Sequence, residues 1–180
     1  MKTVKAVTTA GPATMIKRIK YLLCALALCL AAVSCDNPFE EFSLKQEVTP
    51  EELRAGYSFD FPMDSGMVYN TSIVCRLDDR YWVKETVDLT FDVITPNFAT
   101  FTEEVSFPVV TNVRQQSSLG EGANVLFKKR GSNLDNQWGW RRNIECDSLP
   151  GRWRVIISCK DDTDLERIKA IGFSYKGYRK

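Results

Sequence analysis

Histidine is absent from this chain of 180 residues. Its absence excludes Ser-His-Asp and Cys-His nucleophilic sites, an imidazole general base and histidine-ligated metals. An excess of charge of one sign is also missing, because 24 Lys and Arg balance 23 Asp and Glu to a net charge of +1. Such a balance provides no electrostatic reason to bind nucleic acid. The composition therefore predicts no catalytic residue and no cofactor, and a chain that is 44% hydrophobic fits one folded domain.

The N-terminal segment has the pattern of an export signal. Three basic residues between positions 17 and 20 precede an uninterrupted apolar run of 13 residues, Tyr21–Val33. That run is too short to span a bilayer core, which needs about 20 residues. It ends in Ala32–Cys35 (Ala-Val-Ser-Cys), which resembles the lipobox of bacterial lipoproteins, where the cysteine is acylated and becomes the first mature residue. We therefore expect residues 1–34 to be a lipoprotein signal peptide, with Met15 as a second candidate for its start, and Cys35 to be the lipidation site; an ordinary secretory signal is the alternative.

Removal of residues 1–34 changes the charge and the cysteine count. The signal holds five of the 24 basic residues and no acidic one, so 19 basic and 23 acidic residues remain, a net charge of −4. Three cysteines remain besides the lipidated one, namely Cys75, Cys146 and Cys159. We expect these to be buried free thiols that pack as small apolar residues, with a disulfide between Cys75 and Cys159 as the alternative.

The sequence predicts a connecting segment in the first part of the mature chain. Residues 35–55 are acidic, contain two prolines and show no clear hydrophobic period, so we expect a lipid-anchored tether there. Within it, Thr49 as a cap and Pro50 at the first helical position predict a single helical turn.

From residue 56 to residue 180 hydrophobic residues recur at every second position. The clearest run places Val87, Leu89, Phe91 and Val93 on one face with polar residues between them. At least six such runs are separated by turn residues, which is typical of half-buried antiparallel strands. The sequence therefore predicts an all-β fold, a single antiparallel β-sandwich or jelly-roll-like domain over residues 56–180.

Two of these runs predict a hairpin with its turn at residues 149–150. In that register Cys146 opposes Trp153, and both strands agree on an inward face that includes Trp140. Arg142 falls on the same inward phase, so it lies either at a β-bulge or as a buried anchor with a carboxylate partner.

One acidic segment is a weak candidate for a Ca²⁺ site. Asp161, Asp162, Asp164 and Glu166 place four carboxylates within six residues, and hard oxygen ligands suit calcium. The segment lacks the spacing and the central glycine of an EF-hand loop, so an acidic turn is the alternative.

Basic residues and tryptophan form the remaining candidate ligand sites. Several basic residues add positive charge to an acidic domain and suggest a surface for an anionic partner, with a solvated strand face as the alternative; they are Lys128–Arg130, Arg141, Arg142, Arg152 and Arg154. Trp138, with Arg141 and Arg142 nearby, suggests a platform on which a sugar ring stacks; burial of the tryptophan in the core is the alternative.

A family resemblance rests on the order of several segments. An aromatic first strand, Tyr57–Phe61, follows the signal, and Pro150–Ile157 precedes a closing segment, Ile171–Tyr175. This arrangement resembles the gliding-motility lipoprotein H family of Gram-negative bacteria, in which a Pro/Lys-Gly-x-aromatic strand precedes a closing segment with glycine and alternating hydrophobic residues. The resemblance does not extend to residues 114–136 or to Trp138–Trp140. It implies an outer-membrane lipoprotein that takes part in a multi-protein cell-envelope assembly, and it implies no catalytic residues.

The sequence thus predicts a membrane-anchored, non-enzymatic lipoprotein of the outer membrane. Its expected partners are the membrane, through the N-terminal lipid, and proteins of the envelope, with a role related to gliding motility implied by the resemblance. The alternative prediction is a surface glycan-binding β-sandwich module.

Overall fold

Two antiparallel sheets pack face to face in the computed structural model, which describes residues 39–79, 84–119 and 125–180. The predicted signal peptide and the predicted lipidation site Cys35 lie outside these residues. The strands of the described ranges are β1 (Phe39–Gln46), β2 (Tyr57–Met63), β3 (Met67–Asp78), β4 (Thr86–Ile94), β5 (Thr100–Pro108), β6 (Val125–Arg130), β7 (Asn133–Glu145), β8 (Gly151–Ser158) and β9 (Ile168–Arg179). The helices there are short, namely α1 (Pro50–Ala55), α2 (Val113–Ser118) and α3 (Asp162–Leu165).

The strand order defines a β-sandwich. A five-stranded sheet has the order β1-β9-β3-β7-β6, and a four-stranded sheet has the order β2-β8-β4-β5. Every pairing between these strands is antiparallel. The prediction of an all-β antiparallel sandwich is confirmed.

The core lies between the two sheets because one face of nearly every strand is apolar. On β3 every second residue from Tyr69 to Leu77 is buried, and on β4 Val87, Leu89, Phe91 and Val93 are buried. Aromatic rings join the sheets, as in the contact of Phe61 with Phe173, whose centroids lie 4.9 Å apart. Removal of this apolar surface from water is the main stabilising contribution to the fold.

The predicted hairpin between β7 and β8 is wrong, because the two strands lie in different sheets. β7 pairs with β3 and β6, whereas β8 pairs with β2 and β4. The predicted inward faces are nevertheless correct: Trp138, Cys146, Val155 and Ile157 are all buried. Alternation identifies which face of a strand is buried, but inward faces meet across a sandwich as well as within one sheet.

Arg142 lies at an irregularity of β7, so the bulge alternative is confirmed and the buried anchor is wrong. The pairing of β3 with β7 shifts register on both sides of Thr71. Asn143 has a positive φ of 53°, and its backbone N–H donates to Asn70 Oδ1 at 2.9 Å. The shift turns the Arg142 side chain out to solvent.

The predicted tether is wrong for residues 39–55, which belong to the fold. β1 pairs along its whole length with β9, and the ring of Phe39 packs edge-on against Tyr69 and Tyr175, with centroids 6.1 and 5.8 Å away. The acidic residues of β1 interrupt the alternation of apolar and polar residues that indicates a strand, because an edge strand tolerates charge on both faces. Glu41, for example, accepts a hydrogen bond from the Tyr175 hydroxyl at 2.5 Å.

The predicted helical turn within this segment is confirmed. Thr49 is the N-cap of α1, and Pro50 opens the helix. The Thr49 hydroxyl accepts a hydrogen bond from the Glu52 backbone N–H at 3.3 Å.

Candidate functional site

Trp138 does not form a sugar platform, so that prediction is wrong. Its side chain is 1% exposed and stacks on Phe107, with ring centroids 5.0 Å apart. Its indole N–H donates to the Pro108 carbonyl oxygen at 2.7 Å. The residue sits on the buried phase of β7, where its polar atom is satisfied inside the protein.

Arg141 is engaged in contacts within the fold. Its guanidinium forms an ion pair with Glu103 of β5 and lies 5.8 Å from the ring centroid of Trp140. The Trp140 indole N–H donates to the same Glu103 carboxylate at 2.5 Å, and its ring stacks on Phe91 at 4.7 Å. These contacts connect the two sheets, so Arg141 acts in the structure of the sandwich.

The four carboxylates of the candidate Ca²⁺ site do not converge. Asp161 caps α3 and pairs with Lys84 at 3.0 Å, and Asp162 pairs with Arg54 at 2.5 Å. Asp164 is buried, pairs with Lys84 at 3.1 Å and accepts from the Asp88 backbone N–H at 3.3 Å.

Glu166 is exposed at the end of α3. Among the described residues no three His, Cys, Asp or Glu side chains are arranged to hold a metal ion. The Ca²⁺ prediction is wrong, because the acidic run starts a helix and its carboxylates have other partners.

The three remaining cysteines are buried free thiols, as predicted. Burial raises the pKa of the Cys75 thiol well above its usual value, and it raises the pKa of Cys159 to about 11. A thiol that stays protonated and hidden from solvent is a poor nucleophile. These residues therefore contribute packing.

A concave feature lies on the outer face of the five-stranded sheet, and we call it the outer groove. Two adjoining cavities of about 640 and 530 Å³ make up the groove and share Glu40, Leu126, Gln137 and Ser174 as lining residues. Its floor comes from the outward-facing residues of β3, β7 and β9, and its walls come from the edge strands β1 and β6. The sheet twist and the larger side chains of the two edge strands leave the small central residues at the bottom.

Positive charge predominates in the outer groove. Five cations line it, against the two carboxylates Glu40 and Asp135; the cations are Arg76, Lys128, Arg130, Arg142 and Lys176. This excess of three positive charges stands out because residues 35–180 carry a net charge of −4. A cleft of one sign attracts partners of the other sign.

Some of these cations are held by partners inside the groove. Arg76 donates to both carboxylate oxygens of Asp135 at 2.6 and 3.0 Å, and these bonds raise the pKa of Arg76. Arg130 lies 3.6 Å from the same carboxylate. Lys128 and Arg142 form no ion pair with any side chain in the described ranges, so their charge is available to a ligand.

Each wall of the outer groove carries an exposed apolar side chain. Phe42 on β1 is 52% exposed, and Leu126 on β6 is 59% exposed. Apolar anchors surrounded by polar groups are typical of protein interfaces. The groove therefore combines apolar anchoring points with a positive field.

The sequence indicated the groove residues as outward-facing but could not bring them together. Asn70, Ser72, Gln137 and Ser174 all occupy the polar phase of their strands. Their proximity depends on the order β9-β3-β7, and local alternation carries no information on strand order. Of the residues predicted to bind a ligand, Lys128, Arg130 and Arg142 lie in this groove.

Two solved structures with similarity to this fold come from viruses. A coat protein dimer of tobacco streak virus is 10% identical with a TM-score of 0.31, covering 80% of this chain and 86% of that chain. A structure of infectious bursal disease virus, Gx strain, is 11% identical with a TM-score of 0.36, covering 80% of this chain and 33% of that chain. No protein-family model and no curated protein matches the sequence. Similarity at this level concerns the β architecture alone.

Within the described ranges no helix combines the length and the apolar character that crossing a membrane requires.

Proposed function

We propose that this chain is a lipid-anchored lipoprotein of the bacterial outer membrane that acts, without catalysis, as a protein-interaction component of a cell-envelope assembly. The observation that carries the proposal is the N-terminal pattern of basic residues, the 13-residue apolar run and Ala32–Cys35. The resemblance to the gliding-motility lipoprotein H family supports an assembly related to gliding motility.

The position of β1 supports a domain held close to its anchor. Only residues 36–38 separate Cys35 from the start of β1 at Phe39. A connection this short spans about 14 Å at full extension. A partner protein would therefore meet the domain near the membrane.

The outer groove is the surface we assign to the partner. Phe42 and Leu126 would enter apolar pockets of the partner, while Lys128 and Arg142 would pair with its carboxylates. Charge complementarity of this kind accelerates encounter and selects the partner, and the apolar anchors supply most of the affinity. The expected partner is an envelope protein with an acidic face.

Site-specific photo-crosslinking in intact cells tests this assignment. A photoreactive amino acid at Leu126 or at Phe42 should yield one covalent adduct of the same partner mass from both positions. The matched control is Val113 on α2, which is 70% exposed but lies outside the groove and should yield no such adduct. Equal crosslinking from Val113, or none from either groove position, would contradict the assignment.

A glycan chain is the second candidate for the groove. Amide and hydroxyl groups line one of its two cavities, from Asn70, Ser72, Gln137, Asn143 and Ser174. Such groups bind sugar hydroxyls through hydrogen bonds. An adduct at Leu126 that contains carbohydrate and no peptide would favour this function over protein binding.

A further inference from the structure

The loop between β4 and β5 presents an exposed aromatic ring in an unusual backbone conformation. Phe98 is 86% exposed, the largest exposure among the large hydrophobic residues of the described ranges. Its φ is +64°, in the left-handed region that bulky residues rarely adopt. Strained conformations of this kind persist where the surrounding structure enforces them.

Hydrogen bonds hold this loop in place. The Thr95 backbone N–H donates to the Ala99 carbonyl oxygen at 2.9 Å, and the Phe98 N–H donates to the Thr95 carbonyl oxygen at 2.9 Å. The Asn97 carboxamide oxygen accepts from the Thr95 hydroxyl at 2.6 Å and from the Ala99 N–H at 3.3 Å. The ring is therefore held outward by a preorganised turn.

The Phe98 loop lies at one end of the four-stranded sheet. Ile94, the last residue of β4, pairs with Arg154 near the start of β8. Gly151, the first residue of β8, packs closely on Pro96, since a Cβ built on this glycine would lie 3.0 Å from the Pro96 Cβ. Gly151 also pairs with Met63, the last residue of β2.

The N terminus of the domain lies at the same end. Met63 is followed by the turn into β3, and the backbone N–H of Lys180 donates to the Gly66 carbonyl oxygen in that turn at 3.1 Å. Lys180 follows β9, where Gly177 pairs with Phe39, the first residue of β1. The strand ends that carry Phe98 and Phe39 therefore belong to one end of the sandwich.

We propose that Phe98 inserts into the lipid surface that holds the Cys35 anchor, as a second apolar contact between the domain and the membrane. This inference rests on the lipidation of Cys35 in the proposed function. The lipid on Cys35 cannot lie farther from Phe39 than the short 36–38 connection allows, which keeps the end of the sandwich that carries Phe98 within reach of the headgroups. Moving an aromatic ring from water into the membrane interface lowers the free energy of the system.

The second contact would fix the orientation of the domain. A single anchor lets a domain rotate and tilt freely, whereas two separate contacts at one end hold the strands upright on the membrane. The outer groove runs along the five-stranded sheet, so it would then face sideways, toward other envelope proteins. The Tyr178 and Arg142 part of the groove would lie nearer the membrane than the part with Arg76.

Spin labels on the lipidated chain test the insertion. Phe98→Cys and Val113→Cys each add one exposed thiol, and Cys75, Cys146 and Cys159 are buried and will not be labelled. Val113 is a matched control because α2 follows the opposite end of β5. In vesicles of phosphatidylethanolamine and phosphatidylglycerol, the ratio of oxygen to nickel-complex accessibility should be higher by about threefold or more at 98 than at 113.

The outcomes separate the insertion from the anchor. With Cys35 acylated, equal accessibility at the two labels overturns the insertion and leaves the lipidation intact. Protection of the label at 98 in a soluble Cys35→Ser chain without vesicles also overturns it, because a second copy of the chain would then cover the ring. Absence of the acyl group from Cys35 overturns the proposed function itself. Asparagine tolerates the positive φ, so Phe98→Asn should keep the chain folded and membrane-bound. Without the second apolar contact, the domain should no longer be held in one orientation on the membrane.

Discussion

Trp138→Ala is expected to lower the free energy of unfolding by about 3–5 kcal/mol, the range for truncating a fully buried large aromatic side chain. The ring is 1% exposed and stacks on Phe107, so its removal leaves a cavity against both sheets. The Pro108 carbonyl oxygen also loses the indole N–H that it accepts at 2.7 Å. Denaturant titration followed by far-UV circular dichroism measures the loss.

Trp138→Phe separates packing from the hydrogen bond. Phenylalanine keeps the contact with Phe107 but cannot donate to Pro108, so a loss of about 1–2 kcal/mol is expected from one unmade buried hydrogen bond. An alanine variant that loses less than about 1 kcal/mol would contradict the placement of this residue in the core.

Asp164→Ala is expected to lower the free energy of unfolding by about 2–3 kcal/mol, because it leaves a part-buried backbone N–H and a cation with fewer partners. The carboxylate is fully buried, pairs with Lys84 and accepts from the Asp88 backbone N–H. The loss is smaller than for a wholly buried ion pair because Lys84 is 29% exposed and also pairs with Asp161. The same denaturant titration measures it.

Asp164→Asn is the matched control, since it keeps the shape and an acceptor for Asp88. Burial raises the pKa of Asp164 above its usual value, which means that the ionised carboxylate is held at an electrostatic cost. The asparagine variant should therefore lie within about 1 kcal/mol of the wild type at pH 7.

The dependence on pH has a definite sign. A raised pKa in the folded state means that the native chain binds the Asp164 proton more tightly, so stability falls as the pH rises through that pKa. As the pH rises through the pKa of Asp164 in the folded state, the wild type should therefore lose stability relative to the asparagine variant. A shift in the opposite direction would contradict the burial of this carboxylate.

The alternation of apolar and polar residues predicted the buried faces, because a buried face requires an apolar residue at every second position of its own strand. Trp138, Val155 and Ile157 occupy the apolar phase of their strands, and all are buried. The local sequence does not show in the same way which strand each strand pairs with. β7 and β8 are neighbours in sequence with agreeing inward faces, yet they belong to different sheets. The turn chemistry around Pro150 fits a crossing between sheets as well as it fits a hairpin.

The first strand shows how edge position conceals structure. β1 pairs with only one strand, so its acidic residues remain in contact with water and its apolar residues need not alternate. The exposed Phe42 therefore did not suggest a strand, although it forms a wall of the outer groove.

The groove as a whole could be predicted only in part. Its residues were recognisable as polar outward positions, and the basic residues Lys128 and Arg142 were recognised as candidates for an anionic partner. Their convergence on one concave surface required the strand order. The predicted Ca²⁺ cluster had the opposite outcome, because carboxylates close in sequence pair with Lys84 and Arg54 around helix α3 and do not form one cluster.

Mass spectrometry of the mature N terminus tests the central claim most directly. The protein is purified from membranes, and its N-terminal peptide is analysed beside that of a Cys35→Ser variant. Lipidation at Cys35 predicts a wild-type chain that begins at Cys35 and carries acyl groups, and a variant that is uncleaved or soluble. A mature chain that begins at another residue with an unmodified Cys35 thiol would contradict the lipid anchor and the role proposed for this protein.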